Sequence, residues 1–203
     1  MRRQILSLLL LPLLLAGCST PGTFFKPLQG PHFKAQALPD EDNALVYLYR
    51  PQSDWGDQEL EAPGVFLNNE LIGVLPSGGY LALEFDVDNY KLEMRRPLFG
   101  SYWTLFADGP LEFTRIASFT LEAETGAVYY LRYDELNPPP AKDTQPEEGD
   151  GPLQVVGERL GLEELPATRL VQDSQHYAAG SYAQRPQRSF WEGVGKALDH
   201  IGI

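Results

Sequence analysis

Between residues 44 and 133 the chain is cut every few residues by turn formers, and the segments between the cuts are short and rich in β-branched and aromatic residues. That spacing constrains the fold more than anything else in the sequence. An amphipathic helix needs roughly ten or more residues of unbroken 3.6-residue periodicity, and this region offers none. Residues 44–50, Ala-Leu-Val-Tyr-Leu-Tyr-Arg, place Leu45, Tyr47 and Tyr49 on one face and Val46, Leu48 and Arg50 on the other, because side chains alternate along a strand. Both faces are largely apolar, which predicts a central strand. Pro51 ends it.

The same logic continues along the chain. Residues 64–68 and 70–75 are predicted strands of a hairpin around Asn68-Asn69, a pair suited to a tight turn because Asn tolerates positive φ. Residues 80–85 and 90–95 follow as strands, separated by the turn at 86–89. The segment 98–106 is apolar and aromatic. Residues 111–123 set Phe113, Arg115, Ala117, Phe119 and Leu121 against Thr114, Ile116, Ser118 and Thr120. Residues 127–133 make a further strand after the Thr125-Gly126 turn. Repeated short strands with regular turns predict an antiparallel β-sandwich, immunoglobulin-like or related. Beyond an acidic, Pro-rich loop at 137–152, residues 153–156 return as a strand, 160–167 form a short helix ended near Pro166, and 169–171 add an edge strand. The domain is expected over 44–177. In the tail, 178–203, Phe190, Val194, Leu198 and Ile201 share one side of a helix, with Trp191 beside them.

The first residues carry a different message. Arg2 and Arg3 precede an apolar run over residues 5–15, shorter than the roughly 20 residues that cross a bilayer as a helix. This is the layout of a secretory signal peptide over residues 1–17. Leu15-Ala16-Gly17-Cys18 resembles the lipobox of bacterial lipoproteins. The resemblance implies cleavage before Cys18, diacylation of its thiol and a membrane anchor of two or three acyl chains, where one chain alone holds marginally. Ser19 is similar to the outer-membrane-sorted class, which places the body in the periplasm of the bacterial envelope. Residues 18–43, rich in Pro and Gly and ending in Asp40-Glu41-Asp42, read as a tether. Phe24, Phe25 and Phe33 within it are expected at the domain surface or the membrane interface.

Cys18 is the only cysteine, so no disulfide closes within the chain and the domain depends on its core. The net charge is −12, and loss of Arg2 and Arg3 with the leader makes it two units more negative. Such a balance argues against nucleic acid and against general attraction to anionic head groups.

Four short motifs carry a resemblance to a family of bacterial lipoproteins known as domain of unknown function 2846. They are the Tyr47-Leu48-Tyr49-Arg50-Pro51 end of the first strand, the hairpin Val65 to Gly73, the strand Gly126-Ala-Val-Tyr-Tyr-Leu-Arg132, and the stretch Glu163-Glu-Leu-Pro-Ala-Thr-Arg-Leu-Val171. Together they cover residues 44 to about 172. The resemblance implies a β-sandwich and the envelope compartment; it implies no catalytic residues, and the turn at 86–89, the Pro-rich insert and the terminal helix fall outside its pattern.

The residues themselves form no coherent reactive set. His32, His176 and His200 lack metal-ligand spacing, and no Gly-x-Ser-x-Gly elbow occurs. A calcium loop opening at Asp86 would need Gly at its sixth position and Glu at its twelfth, where the chain has Lys91 and Pro97. Neither a cofactor nor a metal is expected. Two apolar features stand as candidate partner contacts, Trp103 and Phe106 in the first and Phe190, Trp191 and Leu198 in the second, each weighed against simple core packing. The expected function is a membrane-anchored, non-enzymatic binding or assembly module with an envelope protein as partner. The alternatives are an envelope hydrolase or a carrier of a small apolar ligand, the latter requiring a cavity on the order of several hundred Å³.

Overall fold

The computed structural model describes residues 19–21, 27–37, 40–104, 111–137 and 151–180. Its strands are β1 (Ser19–Pro21), β2 (Ala44–Tyr49), β3 (Gly64–Leu67), β4 (Glu70–Val74), β5 (Gly79–Phe85), β6 (Asn89–Arg95), β7 (Ser101–Trp103), β8 (Arg115–Glu122), β9 (Val128–Tyr133) and β10 (Leu153–Val156). Helix α1 (Glu158–Glu164) and a 3-10 turn at Leu165–Ala167 precede β11 (Arg169–Leu170) and β12 (Gln175–Tyr177).

Two sheets pack face to face as a sandwich. One is four-stranded in the order β4-β3-β6-β8, antiparallel throughout. The other runs β10-β9-β2-β5, and the far edge of β5 is shared by β11 and then β12. The expected sandwich is therefore the observed one. Its larger sheet also holds parallel pairings, of β2 with β9 and of β5 with β11 and β12.

β2 is buried at every position, as a central strand with two apolar faces must be. Ala44, Val46 and Leu48 enter the core between the sheets, with Val65, Leu67, Leu81, Leu92, Phe119 and Leu131. Leu45, Tyr47 and Tyr49 face outward with Tyr80, Ala82 and Tyr130, and Leu165 of the 3-10 turn closes over them. Helix α1 lies tight on this outer layer: a Cβ at Gly161 would sit 2.5 Å from the Tyr130 ring. The Asn68-Asn69 hairpin forms as expected, with φ of 47° and 72°.

Two departures have local causes. Residues 112–114 form a 3-10 turn, so β8 begins at Arg115 and Phe113 is left exposed while Ala117, Phe119 and Leu121 are buried. The segment expected as a tether is partly bound to the domain. β1 pairs with β7, and Phe33 packs edge-on against Tyr47 and Tyr80. Phe24, Phe25, the signal peptide, most of the loop over 137–152 and the terminal helix lie outside the described residues. Among those described, no helix is long and apolar enough to cross a membrane.

Candidate functional site

The site is built where β2 and β9 end side by side. These strands are parallel neighbours, with Tyr49 opposite Arg132, so Arg50, Pro51 and the residues after Arg132 emerge at one end of the sheet. The short 3-10 turn Gly56–Gln58 folds back there and places Trp55 at the rim. The result is a cleft of about 170 Å³ lined by Arg50, Gln52, Trp55, Tyr133, Glu135 and Asn137, among others.

Arg50 is 3% exposed and lies at the base of the cleft. Its Nη1 donates to Glu59 Oε2 at 2.6 Å and to the Leu75 carbonyl at 3.3 Å. Its guanidinium also stands 5.4 Å from the centre of the Tyr133 ring and 5.9 Å from that of Trp55. Arg96 approaches the same indole at 5.5 Å and donates to Glu135 Oε1 at 2.9 Å. The Tyr133 hydroxyl donates to that carboxylate as well. Burial, reinforced by the hydrogen bond to Glu135, pushes the Tyr133 phenol far above its ordinary pKa, so it stays a donor at any physiological pH. Glu135 Oε2 is buried, faces Arg50 Nη2 at 3.6 Å, and makes no hydrogen bond among the described residues. An indole 41% exposed beside two guanidiniums and a half-satisfied carboxylate can hold a planar or hydroxylated group by stacking and hydrogen bonding.

A second network braces this one. Arg132 donates from Nε and Nη2 to the two oxygens of Glu164 at 2.8 and 3.0 Å, and from Nη1 to Asp134 at 2.7 Å. The Tyr49 hydroxyl donates to Glu164 Oε2 at 2.7 Å. Burial works against the charge on Arg132, but Glu164 and Asp134 outweigh it and hold its pKa above the ordinary value. The segments Tyr47–Pro51, Gly126–Arg132 and Glu163–Val171, distant in sequence, thus meet through Tyr49, Arg132 and Glu164. Their shared role is to lock α1 onto the sheet and fix the wall of the cleft.

The candidates named from sequence are distributed differently. Trp103 sits on β7, half-buried, with its indole N–H donating to the Leu98 carbonyl at 3.1 Å. Cys18, Phe106, Phe190, Trp191 and Leu198 lie outside the described residues. Within 98–104, Tyr102 is core, edge-on to Phe66 at 5.4 Å, whereas Phe99 is 92% exposed. The Asp86 turn secures a strand: Asp86 Oδ2 accepts the Ala179 amide at 2.8 Å, and Oδ1 lies 2.7 Å from His176 Nε2. Among the described residues, no group of three or more His, Cys, Asp or Glu is placed to hold a metal ion. A wider cleft of about 370 Å³ lies by the β10 edge, lined by Val128, Tyr130 and Val155 among others.

Sequence reading passed over Arg50, Trp55 and Glu135 as site residues. The available signal was an arginine at the end of an otherwise apolar strand, a position that demands a buried partner.

No curated protein and no solved structure matches this chain. The family model described as protein of unknown function DUF2846 matches residues 40–146. That span holds the first three motifs and every residue of the cleft named above, and it covers more than half of the sequence; the chain belongs to the DUF2846 family.

Proposed function

We propose that this protein is a lipoprotein of the bacterial envelope, anchored through acylated Cys18, and that its sandwich serves as a non-enzymatic binding or assembly module working through the Arg50 cleft. The observation that carries the reading is the exposed Trp55 ring, set beside Arg50 and Arg96 on a braced scaffold. Partly exposed aromatic and arginine side chains on a rigid frame are what binding surfaces concentrate. The Tyr49–Glu164–Arg132 lock supports it further, because a preorganised wall lowers the ordering cost of binding. The leader and Cys18 support the anchor, and the partner on this reading is an envelope component facing the periplasmic side of the outer membrane.

The test is in-cell photo-crosslinking of the full, acylated chain with probes at Trp55, Trp103 and Trp191. Reproducible capture of the same envelope component at Trp55 is expected, and loss of that capture in Arg50→Ala. Probes that capture nothing at any of the three positions would sink the binding-module reading. A Cys18→Ala chain that stayed in the membrane through lipid would refute the anchor.

A further inference from the structure

We infer that the domain lies down on the bilayer that anchors it, with the β-turn at Phe99 as a second, non-covalent membrane contact; this rests on the lipoprotein reading above. Leu98 and Ser101 exchange both backbone hydrogen bonds, at 2.8 and 3.2 Å, and close a two-residue turn on Phe99 and Gly100. Phe99 there has φ of 54° and is 92% exposed. A bulky side chain in the left-handed region is disfavoured, and an exposed phenylalanine gains nothing from water. Glycine or asparagine would suit the turn better on both counts, so the phenyl ring fits an apolar medium outside the protein.

The backbone shows which medium. β1 pairs with β7 so that Ser19 lies opposite Trp103 and Pro21 opposite Ser101. Ser19 directly follows Cys18 in sequence. The residue that carries the acyl chains is therefore one step from a position fixed on the body, and at about 3.3 Å per residue that position is within roughly 15 Å of the Phe99 turn. A bilayer holding those chains meets the Phe99 turn without any reach from a long linker.

A second exposed phenylalanine lies at the same end. Phe99 follows the C-terminal end of β6, and Phe113, also exposed, sits beside that end, where Thr114 accepts the Arg96 amide at 2.8 Å. The opposite end carries Asp40, Asp42, Asp86, Asp88, Glu122 and Glu124. Carboxylates stand at both ends, Asp54, Asp57 and Glu112 being exposed near Phe99, so the exposed phenylalanines and the Ser19 pairing set the orientation.

The experiment uses the acylated full-length chain in vesicles of phosphatidylethanolamine and phosphatidylglycerol. Phe99→Cys introduces a free thiol, the Cys18 sulfur being consumed as thioether, and the thiol carries an environment-sensitive fluorophore. Val87→Cys, at an exposed position on the opposite end, is the control. The expected result at residue 99 is a blue-shifted emission that loses intensity when the lipid acyl chains are brominated, with the label at residue 87 unchanged. Equal, water-like emission at both positions overturns the inference, as does a shielded label at residue 99 that bromolipids do not quench, since that outcome means a protein contact. Mass spectrometry of the same sample separates the two readings. Protein without acyl groups on Cys18 removes the anchor and this contact together, whereas acylated protein with a water-like residue 99 removes the contact alone.

Discussion

The two faces of the larger sheet use the same strands at the same depth with different chemistry. Its inner face is aliphatic at the centre, with Val46, Leu48, Leu81, Leu83 and Leu131 all at most 1% exposed, and carries the aromatics Phe85, Tyr133 and Tyr177 at strand ends. Its outer face is tyrosine-rich, with Tyr47, Tyr49, Tyr80 and Tyr130. Aliphatic side chains bury area without direction, and any complementary apolar surface of the right shape satisfies them. Tyrosines bury comparable area and add a hydroxyl that must find a specific partner. Tyr47 takes the Gln36 amide at 2.8 Å and Tyr49 reaches Glu164 at 2.7 Å. The inner face thus supplies cohesion, and the outer face selects which segments attach and in what register.

The largest effect belongs to the inner face. Leu48→Ala removes a fully buried side chain from the centre of the core and should cost about 2–5 kcal/mol in urea unfolding, without altering the slope of the transition. A smaller loss would mean that the sheets close on the void. Next comes Glu164→Gln, which breaks the paired contact to Arg132 and weakens the acceptor for Tyr49. Both charged side chains keep about a quarter of their exposure, so the cost should be roughly 1–2 kcal/mol. Faster amide exchange should appear in α1 ahead of the core strands; uniform exchange would place the lock in the core and not in the attachment.

Tyr47→Phe retains the ring and its edge-on contact with Phe33 while deleting the hydroxyl. A loss of about 1 kcal/mol is expected, confined to the N-terminal segment and visible as faster exchange of the Gln36 amide. The last effect is a pH dependence that the inner face lacks. The Ala179 amide, followed by His176, holds the Asp86 carboxyl below its ordinary value. A depressed carboxylate stabilises the folded state above its unfolded pKa, about 4, and that contribution fades as pH falls through the lower, folded value. Residues 175–180 should therefore loosen in acid before the sandwich melts, readable as the Ala179 amide exchanging early below about pH 4. An Asp86→Asn chain should lose that pH dependence; if it kept it, another group controls β12.

Much of this architecture was legible in the chain. Side-chain composition, alternation and turn spacing placed β2 to β6 and β8 to β10, though not β7, and the two apolar faces of residues 44–49 marked β2 as central because only a strand covered on both sides can carry them. Asn68-Asn69 marked its own turn. The cleft was not legible in the same way. Glu135 lies far along the sequence from Arg50 and Trp55, and taken singly the three look like a linker acid, a strand end and a loop aromatic. They converge only because β2 and β9 run parallel.

Local sequence determined what each segment is. Period, turn chemistry and side-chain shape act over a few residues, and they wrote the strands, the hairpin, the short helix and the family motifs. Tertiary structure alone decided which segments are neighbours. β2 and β9 are separated by the entire second sheet, and their parallel pairing depends on a closure that no local pattern encodes. That pairing brings Tyr49 beside Arg132 and lets Glu164 close on both. It also turns a lone arginine at the end of a strand into the floor of a cleft.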